Sequence, residues 1–311
     1  MEKRNNIIIA TRGSMLALWQ AEWIKSQLQD INPDFEISLN KIKTTGDKIL
    51  DVPLAQVGGK GLFVKEIEEA MLRNEADLAV HSMKDVPTDL PEGLHLSTIT
   101  KREDPRDAFI AGKGINSFHD LPQGAHVGTS SLRRICQLLS VRPDLKISQL
   151  RGNVDTRLRK LSEGEYDAII LATAGVKRLG YADRITEILP PELSLPAIGQ
   201  GAVGIECRVN DKFINDLLSK LDHEDTHVCV RAERAFLKKL EGGCQVPIAA
   251  YAQLIDGKVV IDGLVGSLNG ETLIKERMEG HPEKAASLGT ELAEKLLAKG
   301  AKEILDEVYG Q

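Results

Sequence analysis

The sequence lacks the features that mark membrane, exported and nucleic-acid-binding proteins. No apolar run approaches the roughly 20 residues that cross a bilayer, and residues 1–6 carry neither the apolar stretch nor the cleavage site of a signal peptide. The 40 basic residues are outnumbered by 46 acidic ones, and the net charge of −6 argues against nucleic-acid binding through bulk charge. We therefore expect a cytoplasmic protein with no membrane partner and no nucleic-acid partner.

Aromatic side chains are also scarce, at 4% of the 311 residues, so aliphatic side chains must build the core. A hydrophobic content of 42% and a charged content of 28% are ordinary for a globular protein with such a core. The length predicts about two domains, with three small ones as the alternative.

The four cysteines form no C-x-x-C pair, which excludes a zinc knuckle or a redox dithiol of that type. They are Cys136, Cys207, Cys229 and Cys244. In a reducing compartment they should be free thiols. Because free cysteine behaves as a small buried hydrophobe, we expect most of them to fill core space.

Strand and helix patterns alternate over the first two thirds of the chain. Residues 7–11 predict a buried strand, the helical spacing of apolar residues from Leu16 to Ile31 predicts an amphipathic helix, and residues 37–42 alternate like a second strand. A helix over 62–74 and a strand over 76–80 follow, and the same pattern returns after residue 107. Strand–helix–strand units of this kind imply parallel sheets.

Charged and proline-containing joints at 102–107 and 190–196 divide this pattern. We expect one α/β lobe from residues 1–102 with 200–220, and a second lobe from residues 103–199. From residue 221 onwards the sequence predicts a helix, two strands at 248–255 and 259–265, and a helix from Pro282. This last part indicates a small α+β domain over 221–311.

Cationic and hydroxyl-bearing residues recur where the predicted strands end and helices begin. In open parallel sheets, ligands bind beyond the carboxyl ends of the strands, where helix N-termini offer unpaired N–H groups to anions. Arginine pairs with a carboxylate or phosphate through two hydrogen bonds. The pattern predicts an anionic ligand with more than one acidic group, and ordinary surface charges are the alternative. The strand-end residues are Arg12, Ser14, Lys84, Thr129, Ser131, Arg133, Arg134, Arg151, Arg157 and Arg178.

Asp85 and Cys244 are candidates for chemistry beyond binding. A carboxylate among cations stays ionised, so Asp85 could stabilise a cationic intermediate or carry protons; a capping or salt-bridged aspartate is the alternative. Cys244 follows two glycines in the turn 241–247, which could expose its sulfur as a nucleophile or attachment point. On local grounds alone, a turn cysteine without a role is the better interpretation.

Two short motifs match known sites without the context that those sites need. Residues 223–227 match the H-E-x-x-H of zinc peptidases, but they begin a helix, lie among charges and have no evident third ligand. Residues 199–204 match the dinucleotide-binding G-x-G-x-x-G, but they precede a strand instead of opening a helix. We therefore predict no metal site, and a hinge in the glycine-rich segment that contains Gln200.

Taken together, these segments resemble porphobilinogen deaminase, also called hydroxymethylbilane synthase. The matching blocks follow the family order over essentially the whole chain, and they are residues 10–12 with Ser14, 57–63, 81–87, 102–108, 127–134, 150–153 with 156–158, 195–207 and 241–247. The resemblance implies an α/β fold of three domains. Two of them are lobes with mostly parallel sheets, like those of periplasmic binding proteins, and the third is the small α+β C-terminal domain.

The resemblance also implies an activity. Four porphobilinogen molecules would be joined head to tail onto a covalently bound dipyrromethane cofactor, with loss of ammonia at each step. Water would then release hydroxymethylbilane, in tetrapyrrole (haem) biosynthesis. The chain is thus expected to be a monomeric transferase whose small-molecule partner is porphobilinogen.

The resemblance assigns roles to particular residues. Cys244 would carry the dipyrromethane through a thioether, which reverses the local interpretation of that cysteine. Asp85 would stabilise the cationic azafulvene left by ammonia and pass a proton to the departing amine, while the ten strand-end residues named above would bind carboxylates. Lys60 and Phe63 would belong to a mobile loop. Gln56 stands where some relatives have lysine, so any lysine role in that loop falls on Lys60.

The rival hypothesis from another class is a non-catalytic binding protein for a small acidic ligand, because its lobes would look the same. Such a protein needs neither Asp85 nor an exposed Cys244. It usually carries an export signal or a DNA-binding appendage, and the sequence shows neither.

Overall fold

The structure is a computed structural model, and it describes residues 4–48, 61–241 and 246–309. The chain forms two compact units, one from residues 1–102 with 202–227 and one from residues 103–201 with 228–311. Across the described ranges, no helix combines the length and the apolar character that a membrane span requires.

The secondary structure of the described residues alternates strands and helices. The strands are β1 (Asn6–Arg12), β2 (Glu36–Ile42), β3 (Leu78–Ser82), β4 (Leu94–Ile99), β5 (Asp107–Ala111), β6 (His126–Gly128), β7 (Lys146–Ser148), β8 (Ala168–Ala172), β9 (Glu187–Leu189), β10 (Val203–Arg208), β11 (Ile248–Ile255), β12 (Lys258–Gly266) and β13 (Leu273–Gly280). The helices are α1 (Met15–Ile31), α2 (Thr45–Lys48), α3 (Lys65–Leu72), α4 (Leu132–Val141), α5 (Val154–Ser162), α6 (Thr173–Arg178), α7 (Lys212–Leu218), α8 (Glu224–Lys239), α9 (Ala285–Leu296) and α10 (Lys302–Tyr309). Short 3-10 turns include Met83–Asp85.

The first unit is built on a five-stranded sheet in the order β2-β1-β3-β10-β4. β1 pairs in parallel with β2 and β3, whereas β10 runs antiparallel to both of its neighbours. All strands but β10 therefore share one direction. Because β10 follows the whole 103–201 segment, a late part of the chain completes the sheet of the first unit.

Helices cover both faces of this sheet, which explains why β1 is a continuous apolar run. Ile7 and Ile9 pack in one core with residues of α1 and α7, while Ala10 packs on the opposite face with α3. α1 begins at Met15 because the Ser14 hydroxyl accepts the backbone N–H of Ala17 at 3.3 Å and so caps the helix.

The second unit contains a sheet of the same plan, in the order β7-β6-β8-β5-β9. β6 pairs in parallel with β7 and β8, and β5 runs antiparallel to β8 and β9. Here too the sheet divides the apolar side chains into two cores. Phe109 and Phe118 pack edge to face in one of them, with ring centres 6.0 Å apart, and Ile110 and Leu158 belong to the other.

The second unit also contains an antiparallel three-stranded sheet in the order β11-β12-β13. Its apolar face packs against helices in a core that includes Phe236, Ile261 and Leu292. The two strands predicted in this region are confirmed as β11 and β12, but the sequence analysis missed a third. The third strand, β13, lies at the sheet edge, carries the charged run Lys275–Arg277 and alternates between half-buried and exposed residues, so its pattern resembled a polar loop.

These three sheets confirm the predicted fold class, which was two α/β lobes with mostly parallel sheets and a small α+β part. Cys136, Cys207 and Cys229 are buried thiols that form no disulfide, as predicted. Cys136 of α4 packs with Ala249 and Leu264 of the three-stranded sheet, inside the second unit. The domain limits at 1–102 with 200–220, 103–199 and 221–311 remain a prediction.

Gly289 of α9 lies directly against the backbone of α8. A Cβ atom at this position would overlap the carbonyl oxygen of Ala232, and backbone cannot move aside as the end of a side chain can. Alanine improves helix propensity by about 1 kcal/mol over glycine, but overpacking of this kind costs roughly 1–3 kcal/mol or more. We expect Gly289→Ala to lower the free energy of unfolding, measured by denaturant titration. The matched control is Gly112→Ala, where the nearest atom lies 3.4 Å away; equal stability of the two variants would contradict the prediction.

Candidate active site

The carboxyl ends of β2, β1 and β3 lie side by side at one edge of the first sheet, because these strands are adjacent and parallel. β1 ends at Arg12, and β3 runs into the turn Met83–Asp85. β2 is followed by α2, which contains Asp47. The topology thus brings charged residues from three separate parts of the sequence to one edge.

A cleft with about 410 Å³ of open space lies at this edge. The predicted site residues Arg12, Ser14, Phe63 and Asp85 all line it, and so do Gln20 and His81, which sequence reasoning missed. The structure therefore brings these four predicted residues together in the first unit, while their functional roles stay predictions.

The Arg12 guanidinium is half-buried and held on two sides. Its Nε lies 3.2 and 3.3 Å from the two carboxylate oxygens of Asp47, and its Nη2 donates to the same carboxylate. Its Cζ lies 4.2 Å from the centre of the Phe63 ring. Burial raises the pKa of Asp47, but hydrogen bonds from Arg12 and Thr44 outweigh burial and hold that pKa below its ordinary value. Arg12 thus already binds one carboxylate by the two-point pairing that a ligand would use.

The first turns of α1 form another wall of the cleft. Ser14 caps the helix, and the Gln20 amide lies within hydrogen-bonding distance of the Ser82 hydroxyl, at 2.9 Å from Nε2 and 3.2 Å from Oε1. Ser82 ends β3, and the turn Met83–Asp85, which contains Lys84 and Asp85, follows it. Gln20 therefore fixes the strand end from which both of these predicted site residues project.

Gln56, Lys60 and Cys244 lie outside the described residues. The loop role of Lys60 and the cofactor attachment at Cys244 accordingly stay predictions.

The carboxyl ends of β7, β6 and β8 form the corresponding edge of the second unit. Thr129 and Ser131 follow β6, and the Thr129 hydroxyl accepts the Ser131 backbone N–H at 3.2 Å. Arg151 follows β7 and bonds to a nearby glutamine side chain. Arg157, in the first turns of α5, donates from Nε to the Gly152 carbonyl oxygen at 2.8 Å. The hydroxyl and guanidinium groups predicted from the sequence therefore lie at this edge.

Arg133 and Arg134 are buried, with 3% and 5% of their surface exposed, so they are not ordinary surface charges. Arg133 Nη1 lies 2.8 Å from Oδ2 of Asp107, and Arg134 Nη2 lies 2.7 Å from Oδ1 of the same residue. Burial raises the pKa of Asp107, but the two guanidinium groups outweigh burial and lower it well below its ordinary value. Two cations face one carboxylate, so a surplus positive charge remains. The ligand-binding role of these arginines stays a prediction.

Gln200 and Arg178 lie where the chain leaves the second sheet. The Gln200 side chain is buried and donates from Nε2 to Asp107 Oδ1 at 2.9 Å and to the Pro105 carbonyl oxygen. Arg178 donates from Nη2 to the Gly201 carbonyl oxygen at 2.7 Å. Gly201 has a φ of +89°, and a Cβ atom there would overlap the backbone at residue 103. Glycine at position 201 therefore allows two chain segments to pass close to each other. A hinge role for Gln200 stays a prediction.

The H-E-x-x-H segment forms the start of a helix, as predicted, and its first histidine caps that helix. α8 begins at Glu224, and the His223 Nδ1 accepts the Thr226 backbone N–H at 3.2 Å. His227 Nδ1 lies 2.8 Å from Asp222 Oδ1. Among the residues that the structure describes, no group of three side chains is arranged to hold a metal ion.

Sequence reasoning missed Asp47 and Asp107, the carboxylates that face the predicted arginines. Asp107 offered a partial signal, because an aspartate at the start of an apolar strand must find a partner when it is buried. Its partners lie 26 and 27 residues further along the chain, so the sequence could not identify them. Nothing in the sequence around Asp47 indicated that it would pair with Arg12.

Two family models match the chain. The model described as porphobilinogen deaminase, dipyromethane cofactor binding domain, matches residues 7–216. The model described as porphobilinogen deaminase, C-terminal domain, matches residues 227–298. Together they cover both compact units and leave only short segments unmatched.

Curated relatives match over nearly the full length. The porphobilinogen deaminase of Geobacter sulfurreducens is 60% identical over 305 residues, which are 98% of this chain and 95% of the relative. That of Geobacter metallireducens is 60% identical over 301 residues, or 97% of this chain and 94% of the relative. Among solved structures, the probable amino-acid ABC transporter extracellular-binding protein ytmK from Bacillus subtilis aligns with 70% of this chain and 89% of its own, at 13% identity and a TM-score of 0.42. Because two family models and relatives of 60% identity match it over nearly its full length, the chain belongs to the porphobilinogen deaminase family.

Proposed function

We propose that this enzyme is a transferase that joins four porphobilinogen molecules head to tail, releases ammonia at each step and hydrolyses the product to hydroxymethylbilane, in tetrapyrrole (haem) biosynthesis. The observation that carries the proposal is that Arg12 and Asp85 line one cleft. A guanidinium pairs with the acidic side chains of a pyrrole. A carboxylate stabilises the positive charge that develops when the amine leaves.

The groups of the first unit fit an acid-bearing pyrrole. Arg12 already pairs with a carboxylate through two nitrogens, Ser14 adds a hydroxyl, and Phe63 adds an apolar ring face beside the guanidinium. When bound through a thioether to Cys244, a dipyrromethane supplies the free pyrrole end onto which substrate is added. Asp85 holds the substrate's pyrrole nitrogens and passes a proton to the departing amine.

A ligand carboxylate that binds Arg12 must replace Asp47 or share the guanidinium with it. Asp47 belongs to α2, whose Gly46 lies so close to the Phe63 ring that a Cβ atom there would overlap it. Binding at Arg12 is thereby coupled to the positions of α2 and Phe63. This coupling supports a loop role for the segment that contains Lys60 and Phe63.

The remaining predicted residues bind the carboxylates of the growing chain. For Lys84 the support is its place in the turn after β3, beside Asp85. For the others it is the surplus positive charge at the carboxyl edge of the second sheet and the hydroxyl groups beside it. Gln200 acts as a hinge, and the enzyme works as a cytoplasmic monomer of three domains. The residues are Lys84, Thr129, Ser131, Arg133, Arg134, Arg151, Arg157 and Arg178.

Intact-mass spectrometry of the purified chain tests the cofactor and its anchor together. We expect wild type, made in cells that supply porphobilinogen, to exceed the mass of the sequence by two linked pyrrole units, because the proposal attaches the primer to Cys244. The Cys244→Ser variant is expected to show no surplus. Porphobilinogen added to wild type is expected to produce a ladder of further increments.

Cys229→Ala is the matched control. Cys229 is a buried thiol in the same unit and forms no disulfide, so its replacement should leave the mass surplus unchanged. A wild-type chain of unmodified mass would contradict the proposal. In that case the non-catalytic binder of a small acidic ligand would become the better account of the arginines.

A further inference from the structure

A buried cluster of three titratable side chains lies behind the cleft of the first unit, and the proposed reaction does not use it. Glu68 of α3, His81 of β3 and Glu206 of β10 are 7%, 5% and 0% exposed. His81 Nε2 lies 3.0 Å from Glu206 Oε2. The Oε1 atoms of Glu68 and Glu206 are buried and have no hydrogen-bond partner within the described part of the chain.

The register of the sheet explains why these groups meet. Glu206 stands opposite Ala79 in the antiparallel pair of β3 and β10, and His81 lies two residues beyond Ala79 on the same strand. Alternation along a strand places all three on one face of the sheet. α3 covers that face, and there Ala79 packs with Ile67 and Met71. Two carboxyl groups and one imidazole are thus enclosed in mainly apolar surroundings.

The cluster contains two groups that can be negatively charged, Glu68 and Glu206, and one that can be positively charged, His81. The charged groups around it are Glu69, next to Glu68 on α3, and Arg12 and Asp85 on the cleft side, where His81 forms part of the lining. Burying an unpaired carboxylate is unfavourable, so such a group takes up a proton instead. Burial and the nearby Glu206 raise the pKa of Glu68 to about 7, against the lowering effect of His81.

Packing alone does not require these groups. Hydrophobic side chains of the same size would fill the space between α3 and the sheet without the cost of removing charges from water. A group whose pKa lies near the working pH, by contrast, suits proton exchange, because both of its protonation states are populated. The cluster therefore has the composition expected of a proton store.

We propose that His81 exchanges protons between the cleft and this buried cluster, and that Glu206 and Glu68 are positioning residues: Glu206 orients the His81 ring through the 3.0 Å contact, and Glu68 offers a second buried carboxyl group beside it. The inference rests on the proposed function. It adds to that function the side chain that accepts the proton released in each condensation.

In each condensation the substrate amine first takes up a proton from solvent, which Asp85 passes to it, and becomes an ammonium group. The C–N bond then breaks, and its electron pair leaves with the nitrogen as ammonia. A C–C bond forms to the free α-carbon of the terminal pyrrole, and the C–H bond at that carbon breaks with its pair returning to the ring. The released proton goes to His81, where Glu206 and ionised Glu68 offset the new positive charge. It then passes to the ammonia, which departs as ammonium.

Infrared titration of the holoenzyme tests the cluster without substrate. We expect a protonated-carboxyl band that disappears with a midpoint near 7 as the pH rises. Glu68→Gln should lack the band, whereas Glu69→Gln, the same charge change at an exposed position on the same helix, should keep it. Glu206→Gln should move the midpoint to lower pH because a nearby negative charge is gone. Absence of the band from wild type would overturn the proposal.

Single-turnover condensation rates as a function of pH test the link to the reaction. The wild-type rate should rise with pH through the same midpoint, because ionised Glu68 offsets the positive charge that forms in the cluster when His81 accepts a proton. Glu68→Gln should remain at the low-pH rate, roughly tenfold below wild type at about pH 8, a modest share of the 10²–10⁴ that acid–base groups typically contribute. KM should be unchanged, and Glu69→Gln should follow wild type.

The two measurements separate the two hypotheses. If Glu68→Gln had the wild-type pH profile, the proposed proton exchange through His81 would be overturned and the proposed function would stand. If wild type showed the titrating band but did not condense porphobilinogen, both the proposed function and the proposed proton exchange through His81 would be overturned.

Discussion

Asp107→Asn is expected to lower the free energy of unfolding by about 3–5 kcal/mol, because it leaves two buried guanidinium groups without their carboxylate. Arg133 and Arg134 are almost fully buried and both direct hydrogen bonds to Asp107. Ser194 and Gln200 donate to the same carboxylate, at 2.7 and 2.9 Å. Asparagine keeps the shape of the side chain but not its charge. Denaturant unfolding of both proteins measures the difference.

Asp262→Asn is the matched control, because it removes a carboxylate that pairs with Arg277 at the surface of the same unit. An exposed pair contributes roughly 0–1 kcal/mol, so this variant should be almost as stable as wild type. Similar losses in the two variants would contradict the assignment of Asp107 as a buried charge centre.

The pH dependence of the Asp107→Asn effect has a definite sign. The pKa of Asp107 is depressed in the folded chain, so its contribution to stability is fully present above the ordinary aspartate pKa of 3.8 and is lost as the pH falls through the lower folded value. The difference in stability between wild type and Asp107→Asn should therefore be constant from neutral pH down to about pH 5 and shrink only in stronger acid. A difference that vanished near neutral pH would exclude an ionised Asp107.

Asp85→Asn is expected to lower the single-turnover condensation rate by about 10²–10⁴-fold, the range that positioned acid–base groups contribute. The amide keeps the size of the side chain, but it can neither offset the charge that develops on the substrate nor pass on a proton. Substrate binding through Arg12 should persist, so the loss should fall on kcat more than on KM. Asp85→Glu, which keeps the charge on a longer side chain, should show an intermediate rate.

Rapid-quench measurements on enzyme that already carries its primer give these rates. Asp89→Asn is the matched control, since Asp89 is an exposed aspartate close to Asp85 in sequence and does not line the cleft. It should condense porphobilinogen at the wild-type rate. An Asp85→Asn enzyme with unchanged turnover would show that Asp85 is only a structural aspartate, the alternative that its local sequence left open.

Chain direction explains why part of the site could be predicted from the sequence. Parallel strands end at the same sheet edge, so the residues after β1 and β3 had to lie together once both strands were recognised, and the cleft contains both Arg12 and Asp85.

β13 was missed because an exposed edge strand with charged residues lacks the apolar pattern by which strands are recognised. Asp107 was placed in a charged joint, but it is the first residue of the buried strand β5.

The sequence by itself determined the fold class, the family resemblance and the set of residues at the strand ends, because these depend on local patterns and chain direction. Only the tertiary structure decided which carboxylate faces which cation. Asp47 meets Arg12 across 35 residues, Asp107 meets Arg133 across 26, and Glu206 meets His81 across 125. Such pairings follow from strand order and helix packing, and local sequence does not encode them. Burial favours the neutral form of each carboxyl group, but hydrogen bonds and charge from arginines outweigh burial at Asp47 and Asp107 and keep both ionised. At Glu68 burial and the nearby Glu206 outweigh the opposing effect of His81, so this side chain holds a proton up to near neutral pH.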